Sequence, residues 1–225
     1  MTFSIAARCE RSGAFGLAIA TSSIAVGARC PHARAGVGAV ATQNVTDPAL
    51  GPLVLDFLRA GLTAGEAISK AVQGRDNVEY RQLTAVDRHG NSASWSGKYI
   101  LGINAVSEKH DCVAAGNLLK SAELPDAMTS AFAVDTQTHL AERLLRALEA
   151  GLEAGGEEGA VHSAALLVVH EHSFPLVDLR CDWDDRAPIS MLRRLWSDYE
   201  PQMQAYLTRA LNPAAAPRYG VAGDR

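Results

Sequence analysis

The residue with the clearest chemical potential is Thr2, the second residue of the chain. Because its side chain is small, trimming of Met1 would leave threonine first, with a free α-amine a few bonds from the hydroxyl. An amine with a pKa near about 8 can take the hydroxyl proton, directly or through water, and so make the oxygen a nucleophile. The alternative interpretation is an ordinary edge strand that begins Met-Thr. A retained Met1 would support that alternative, because it holds the Thr2 amine in a peptide bond.

Histidine and cysteine residues lie in patterns that favour structural roles over catalytic ones. His170 and His172 are two residues apart at a predicted strand end, and the sequence identifies no third metal ligand for them. Cys30 and His32 are close in sequence, but a nucleophile and its base normally meet through the fold, so a loop with a free cysteine is the better interpretation. Residues 36–38 begin like a dinucleotide-binding loop but lack its third glycine. We therefore expect neither a metal ion nor a cofactor.

The composition excludes several classes of partner. The 225 residues carry 21 Lys and Arg against 25 Asp and Glu, a formal net charge of −4, and no basic stripe that would neutralise phosphates. No window of the sequence reaches the ~20 apolar residues that cross a bilayer, and the first residues lack the apolar stretch of a signal peptide. The four cysteines are scattered singly, as expected in a reducing cytosol. We therefore predict a cytoplasmic protein without nucleic-acid or membrane partners.

The hydrophobic pattern changes between the periods of strands and helices along the chain. Alternating segments and short apolar runs predict strands at 2–7, 15–21, 35–42, 81–87, 92–96, 112–115, 164–169 and 176–179. Apolar residues at helical spacing predict two helices within 53–72, two more at 124–134 and 139–152, and a last helix from 188 that Pro201 kinks. Thr63 followed by Glu66 predicts a capping box at the second helix. The small residues of 35–42 indicate a buried strand against which another element packs closely.

The order of these elements predicts the fold class. Strands joined as hairpins, with helices in separate blocks, indicate antiparallel sheets covered by helices, an α+β fold and not a doubly wound parallel sheet. Since the sequence has no internal repeat and no interior linker, residues 1–212 are predicted to form a single domain. The remaining residues, 213–225, are rich in Ala, Pro and Gly and are predicted to be a flexible tail.

Several segments, distributed over most of the chain, carry a resemblance to a known family. They are 2–8, 35–43, 81–90, 116–119, 140–151, 155–156, 163–169 and 179–180. In these segments the chain resembles a bacterial family called domain of unknown function 1028, which is placed with the N-terminal-nucleophile (Ntn) hydrolase fold. The resemblance implies a four-layer αββα sandwich, in which two antiparallel sheets lie between helical layers. It also implies that Thr2 matches the nucleophile of Ntn hydrolases, whose first residue attacks an amide carbonyl with its own amine as base.

The sequence departs from the patterns of the fold and of the family at several positions. Proteasome-type Ntn hydrolases pair the threonine with an aspartate and a lysine, but the corresponding segments here are Ser22-Ser23 and the lysine-free run 36–42. Within the resembled family, a loop after paired glycines usually carries Asp, Arg and Gln. The residues at these positions here are Glu157, Gly159 and His162. A substrate bound by that loop would therefore meet different chemistry in this chain.

The polar residues expected to line a cleft near Thr2 lie at the ends of strands that are rich in small residues. They are Ser22, Ser23, Thr42, Gln43, Asn44, Arg81, Asn117 and Ser163. Together with Thr2 they predict an amidohydrolase that acts on a small amide or acylamino substrate. The alternative is a non-catalytic relative that binds a small metabolite or serves in assembly. In either case we expect a homo-oligomer with a small-molecule ligand.

Overall fold

Two antiparallel β-sheets pack face to face in the computed structural model, which describes residues 1–220. This part of the chain contains the strands β1 Thr2–Arg8, β2 Phe15–Thr21, β3 Pro31–Arg34, β4 Gly38–Asn44, β5 Arg81–Asp87, β6 Ser92–Ser96, β7 Ala105–Lys109, β8 Cys112–Asn117, β9 Ser163–Val169 and β10 Val177–Cys181. It also contains the helices α1 Leu50–Arg59, α2 Ala64–Val72, α3 Leu124–Ala133, α4 Leu140–Glu153 and α5 Pro188–Leu211. The first sheet has the strand order β10-β9-β2-β1-β8-β7, and the second has the order β3-β4-β5-β6.

Strand β1 lies in the middle of the first sheet, between β2 and β8. Its side chains alternate between two buried faces, as the period of a strand requires. Phe3 and Ile5 belong to the core beneath the helices, whereas Ala6 belongs to the core between the sheets. Ser4 also faces the second sheet, where its hydroxyl donates to a side chain of β4. Thr2 has the same parity as Ser4 and therefore lies on the face between the two sheets.

Helices cover the outer faces of both sheets. Helices α3, α4 and α5 pack on the first sheet through a core cluster that includes Phe3 and Trp196. Helices α1 and α2 pack on the second sheet through a cluster that includes Val54 and Leu83. The layers therefore follow the order helix, sheet, sheet, helix. The predicted α+β class and the four-layer αββα arrangement are confirmed.

The second sheet and helix α1 approach one another closely at Gly38, the first residue of β4. A Cβ at this position would lie 2.5 Å from the carbonyl oxygen of Val86 on β5 and 2.8 Å from Cδ1 of Leu58 on α1. Neither distance leaves room for a side chain, which is a common reason for glycine inside a strand. The close packing predicted for 35–42 is confirmed at this position.

The edge strands β3 and β7 are not among the strands predicted from the sequence. A loop is predicted for Pro31 and His32, but both residues lie in β3 at the edge of the second sheet. The loop prediction is wrong because proline, which has no N–H to donate, is tolerated at the first residue of an edge strand. Strand β7, at the edge of the first sheet, has no predicted counterpart. Its exposed Glu108 and Lys109 interrupt the apolar alternation that would identify a strand.

The C-terminal residues extend past the sheets. Helix α5 runs continuously through Pro201, where a kink is predicted. Arg209, in the last turn of the helix, contacts the residues that follow it. Its Nη2 donates to the carbonyl oxygen of Pro217 at 2.9 Å, and its guanidinium lies 3.8 Å from the ring centre of Tyr219. Residues 221–225 of the predicted flexible tail lie outside the described residues. None of the helices in residues 1–220 has the length and apolar character needed to cross a membrane.

The predicted capping box is confirmed at the start of α2. The Thr63 hydroxyl accepts a hydrogen bond from the Glu66 N–H at 3.4 Å, and the Glu66 carboxylate accepts one from the Thr63 N–H at 2.8 Å. We expect Thr63→Ala to lower the free energy of unfolding by about 1 kcal/mol, because the Glu66 N–H loses its partner. Urea unfolding measures this loss. The control is Ser69→Ala on the exposed side of α2, which should change stability by less than about 0.5 kcal/mol. Equal losses in the two variants would contradict the capping role.

Candidate functional site

Four polar side chains form a row across one end of the first sheet. Thr2 on β1 pairs with Thr21 on β2 and with Asn117 on β8, and Thr21 also pairs with Ser163 on β9. Residues that are directly paired across strands point to the same face, which here is the face between the sheets. All four are buried, and only 6% of the surface of Thr2 is exposed. We call Ser163, Thr21, Thr2 and Asn117 the polar row.

The Thr2 hydroxyl lies between another hydroxyl and a carbonyl. Its Oγ1 is 3.0 Å from Oγ1 of Thr21 and donates to the carbonyl oxygen of Met1 at 2.5 Å. Thr21 Oγ1 donates to the same carbonyl oxygen. Two hydroxyls therefore converge on one carbonyl at the end of the sheets. This carbonyl belongs to the peptide bond that joins Met1 to Thr2, so the Thr2 amine becomes free only when Met1 is removed.

The side chain of Met1 occupies a slot beside a glycine loop. Its Sδ lies 3.1 Å from the backbone nitrogen of Gly159. A Cβ at residue 159 would lie 2.5 Å from Cε of Met1, so a larger residue there would displace the end of the Met1 side chain. Met1 is half-buried there. In the intact chain, Met1 therefore fills space directly beside the Thr2 hydroxyl.

A buried carboxyl group lies in the same loop. Glu157 is 1% exposed, and in residues 1–220 neither of its carboxylate oxygens has a hydrogen bond of ordinary geometry, although the hydroxyl and the N–H of Ser22 lie near enough to favour its charged form. Burial raises the pKa of Glu157 to about 7, although the N-terminal ammonium and Ser22 act in the opposite direction from nearby. The backbone holds the loop in place, since Glu157 pairs with Leu119 and the Glu158 N–H donates to the carbonyl of Leu118 at 2.8 Å. A carboxyl with this pKa can exchange a proton near neutral pH.

The sequence identified Glu157 only as a departure from the family pattern and not as a site residue. The signal was weak because a glutamate after two glycines is normally solvated. Its burial depends on the pairing of the loop with the residues that follow β8, which lie far away in sequence.

A hydrogen-bonded network joins the two sheets below the polar row. Ser4 Oγ donates to Oε1 of Gln43 at 2.7 Å, and Nε2 of Gln43 donates to Oε1 of Gln82 at 2.8 Å. The same oxygen of Gln82 accepts from Nδ2 of Asn117 at 3.1 Å. Oδ1 of Asn117 is fully buried and has no partner in residues 1–220. The network fixes Asn117 beside Thr2, since a buried polar group without partners is costly.

The structure places the predicted Gln43 and Asn117 in this network, together with Ser4 and Gln82, which were not predicted; Thr21, in the polar row, was not predicted either. Each missed residue is a polar side chain inside a buried strand, on the same face as Thr2 or opposite it. Polar residues at alternate positions of apolar strands are the signal that could have identified them.

Three predicted residues lie away from Thr2. Thr42 and Asn44 alternate with Gln43 along β4 and so point to the opposite face, towards the helices and the connecting loop. Thr42 Oγ1 donates to the carbonyl of Asp47 at 3.2 Å, and Nδ2 of Asn44 donates to the carbonyl of Tyr80 at 2.8 Å. Arg81 donates to a backbone carbonyl of the same loop, that of residue 45. Their prediction as cleft residues is therefore corrected, because they hold the loop after β4.

The serines after β2 shape the wall of the site. Ser163 Oγ donates to the carbonyl of Ser23 at 2.6 Å and accepts from the Val26 N–H at 3.2 Å. The exposed Ser23 hydroxyl accepts from Nη2 of Arg29 at 3.0 Å. Ser163 and Ser23 therefore fix the turn that begins at Ser22, and Ser22 lies next to the Glu157 carboxyl.

A cavity of about 260 Å³ adjoins this loop. Glu157 and Gly159 line one side, and Lys120, Asp185 and Arg186 contribute charges of both signs. Close by, the ring of His162 stacks on Trp183 with 4.4 Å between the ring centres. The volume and the mixed polarity suit a small metabolite rather than a polymer.

The other sequence candidates do not converge on a reactive centre. His170 Nε2 lies 2.8 Å from the carbonyl oxygen of Ser12, and His172 stacks on Phe174. Burial raises the pKa of Cys30 and lowers that of His32. Within residues 1–220, no three His, Cys, Asp or Glu side chains are grouped so that they could hold a metal ion.

Comparisons with known structures identify a strong similarity to a solved crystal structure. The crystal structure of protein SPO2555 from Silicibacter pomeroyi, of family model DUF1028, has a TM-score of 0.82 and 34% identity to this chain, over 88% of this chain and 85% of that one. Anbu (ancestral beta-subunit) from Yersinia bercovieri has a TM-score of 0.39 at 13% identity, over 90% and 96% of the two chains. Anbu from Hyphomicrobium sp. strain MC1 has a TM-score of 0.42 at 12% identity, over 97% and 100%. By these scores, both Anbu structures are only distantly similar to this chain.

The family comparison covers most of the chain. No curated protein matches the sequence. The model of a family of unknown function, DUF1028, matches residues 2–192. With this match and the similarity to SPO2555, the chain belongs to the DUF1028 family.

Proposed function

We propose that this protein, once Met1 has been removed, is an amidohydrolase with Thr2 as its N-terminal nucleophile. The substrate is a small amide or acylamino compound, and the site needs no cofactor for this reaction. The observation that carries the proposal is the position of the Thr2 hydroxyl. It is buried at the end of the sheets, 2.5 Å from a carbonyl oxygen to which the Thr21 hydroxyl also donates.

Each step of the reaction has a candidate group. The freed α-amine of Thr2 takes the hydroxyl proton while Oγ1 forms a bond to the substrate carbonyl carbon. Thr21 donates to the Met1 carbonyl in the intact chain, and it would donate in the same way to the oxygen of a substrate carbonyl bound there. The carbon–nitrogen bond then breaks, and the proton passes from the α-amine to the leaving amine. Water hydrolyses the resulting ester, which releases a carboxylic acid and restores Thr2.

Glu157 and Asn117 support this arrangement from two sides. The Glu157 carboxyl, with a pKa raised to about 7 by burial, lies close enough to the N-terminus to interact with its charge. After trimming, it would orient the Thr2 amine and balance the positive charge that the amine gains. Oδ1 of Asn117 has no partner in residues 1–220, and it would accept a hydrogen bond from a substrate N–H once removal of Met1 opens the end of the sheet.

Two forms of the protein test the proposal. Cleavable N-terminal fusions can be designed to leave either Met1 or Thr2 as the first residue, and mass spectrometry verifies each form. We expect only the form that begins with Thr2 to hydrolyse a panel of small N-acyl amides, because only that form has a free amine next to the hydroxyl. Equal turnover by the two forms, or no turnover by the form that begins with Thr2, would contradict the proposal.

The second candidate function is the binding of a small metabolite without catalysis. It is favoured by Met1, whose side chain fills the slot at Gly159 while the cavity of about 260 Å³ beside Glu157 stays open. A metabolite that raises the melting temperature of the Met1 form, and does so equally in Thr2→Ala, would support this function over hydrolysis. Assembly into a homo-oligomer, which analytical ultracentrifugation measures, and a cytoplasmic location remain predictions under either function.

A further inference from the structure

A second cavity lies at the other end of β1, beside the turn between β1 and β2. Its volume is about 270 Å³, and its lining includes Arg8, Cys9, Arg11 and Arg143. Because each strand residue advances the chain by about 3.3 Å, β1 places this cavity roughly 20 Å from Thr2. The cavity is therefore separate from the candidate site described above.

Arg143 on α4 is a buried cation without an acidic partner. Only 6% of its surface is exposed. Its Nε and Nη2 donate to the carbonyl oxygen of Phe132 at 3.2 and 3.0 Å, and the guanidinium lies 3.9 Å from the centre of the Phe132 ring. These contacts involve one side of the guanidinium, and none of the ion pairs found in residues 1–220 includes Arg143. Burial lowers the pKa of Arg143, although the nearby Asp111 and Asp135 carboxylates and the Cys9 and Cys112 thiols act in the opposite direction without forming an ion pair with it in residues 1–220.

Of the two other arginines that line the cavity, only Arg11 is without an ion pair in residues 1–220. Arg8 is neutralised by Asp111, whose Oδ1 lies 2.7 Å from Nη1. Arg11 is exposed at the rim, and its Nη2 donates to the carbonyl oxygen of Gln137 at 2.8 Å. Glu10 also lines the cavity but is exposed and forms no ion pair with another residue of 1–220. Arg11 and Arg143 thus remain without a bound carboxylate.

The charge of Arg143 also affects the pKa of the Cys9 thiol. Although burial alone raises the pKa of this group, hydrogen bonds from Ser12 and Arg11 and the charge of Arg143 lower it overall. The charge of Arg143 thus acts on Cys9 in the same direction as these hydrogen bonds.

We propose that this cavity binds a small molecule through an oxyanion head group, a carboxylate or a phosphate, held by Arg11 and Arg143. A guanidinium presents its N–H groups as a planar fork that matches two oxygens of such a head group. The ligand supplies the ion-pair partner that Arg143 does not have among residues 1–220. The cavity has the volume of roughly nine water molecules, at about 30 Å³ each, which limits the ligand to a small metabolite.

Calorimetric titration of the full-length protein with inorganic phosphate, and separately with acetate, tests the proposal. Ionic strength is held constant with sodium chloride, so that general screening does not change. We expect saturable binding of one anion per chain for at least one probe, with a dissociation constant on the order of 1 mM. Binding of phosphate alone assigns a phosphate head group, and binding of acetate alone assigns a carboxylate. No saturable binding of either probe up to about 20 mM would overturn the proposal.

Arginine variants locate the site. We expect Arg11→Gln to weaken the affinity about tenfold and Arg143→Gln to abolish binding, because each loses a charged donor. Arg11 is exposed, so its variant tests the site even if Arg143→Gln does not fold. The matched control is Arg194→Gln on the exposed face of α5, which should bind like the wild type. Unchanged affinity in Arg11→Gln, or an equal loss in Arg194→Gln, would overturn the assignment to this cavity.

Discussion

Thr2→Ala should reduce amide hydrolysis by at least about a thousandfold in the form of the protein that begins at residue 2. Alanine keeps the free α-amine and the small side chain that allows trimming of Met1, but it removes the oxygen that attacks the carbonyl. The loss should lie in kcat, because the covalent step disappears while the surrounding binding surface remains. Steady-state kinetics on the most reactive amide of the panel measures it.

Two further variants separate catalysis from folding. Thr2→Ser keeps the hydroxyl and should retain measurable turnover. Thr63→Ala, at the start of α2, should leave kcat unchanged although it lowers stability, because it lies on the outer layer of the second sheet. If Thr2→Ala keeps more than about a tenth of the wild-type kcat, another group is the nucleophile.

Glu157→Gln should change how stability depends on pH in the intact chain. Burial raises the pKa of this carboxyl from 4.5 to about 7, so between these pH values the folded protein holds a proton that the unfolded chain releases. The free energy of unfolding of the wild type should therefore fall as the pH rises through this window, and the part due to Glu157 should level off above about pH 7. The contribution is at most about 4 kcal/mol, since the pKa rises by about 2.5 and each pKa unit corresponds to about 1.4 kcal/mol. Glutamine cannot ionise, so the variant lacks this decrease.

Urea unfolding at pH 5 and pH 8 measures the difference. The wild type should lose stability relative to Glu157→Gln between the two values, and the variant should be the more stable protein at pH 8. Glu158→Gln is the matched control, because Glu158 is the next residue and is exposed. It should follow the wild type. Parallel profiles for all three proteins would mean that Glu157 titrates normally and has no role as a group poised near neutral pH.

Much of the fold follows from local patterns in the sequence. The hairpin of β1 and β2 was identified from two alternating segments around a turn, and α2 from its capping box and its apolar face. Edge strands were harder, because they need only one partner and expose many side chains. Pro31 in β3 and Lys109 in β7 are residues that a central strand would not normally contain.

The site was predictable only in part. Thr2 could be proposed from the sequence because the chemistry expected of it depends on its own backbone amine, which is part of the same residue. Asn117 and Gln43 were identified from their positions at the ends of strands. The partners Thr21 and Gln82 were missed because they become neighbours only through strand register and sheet packing. No local pattern marks Glu157 as buried, since its loop is covered by residues that follow β8.

The central position of β1 has a consequence for protein synthesis. Thr2 pairs with Asn117, so β1 cannot be fixed in its sheet before the ribosome has added Asn117, which takes roughly 6 to 25 seconds at ordinary rates of elongation. During this interval an aminopeptidase can reach Met1. In the folded chain, Met1 is half-buried with its sulfur against Gly159. We therefore expect the cell to determine on the nascent chain, and not after folding, which molecules carry a free Thr2 amine.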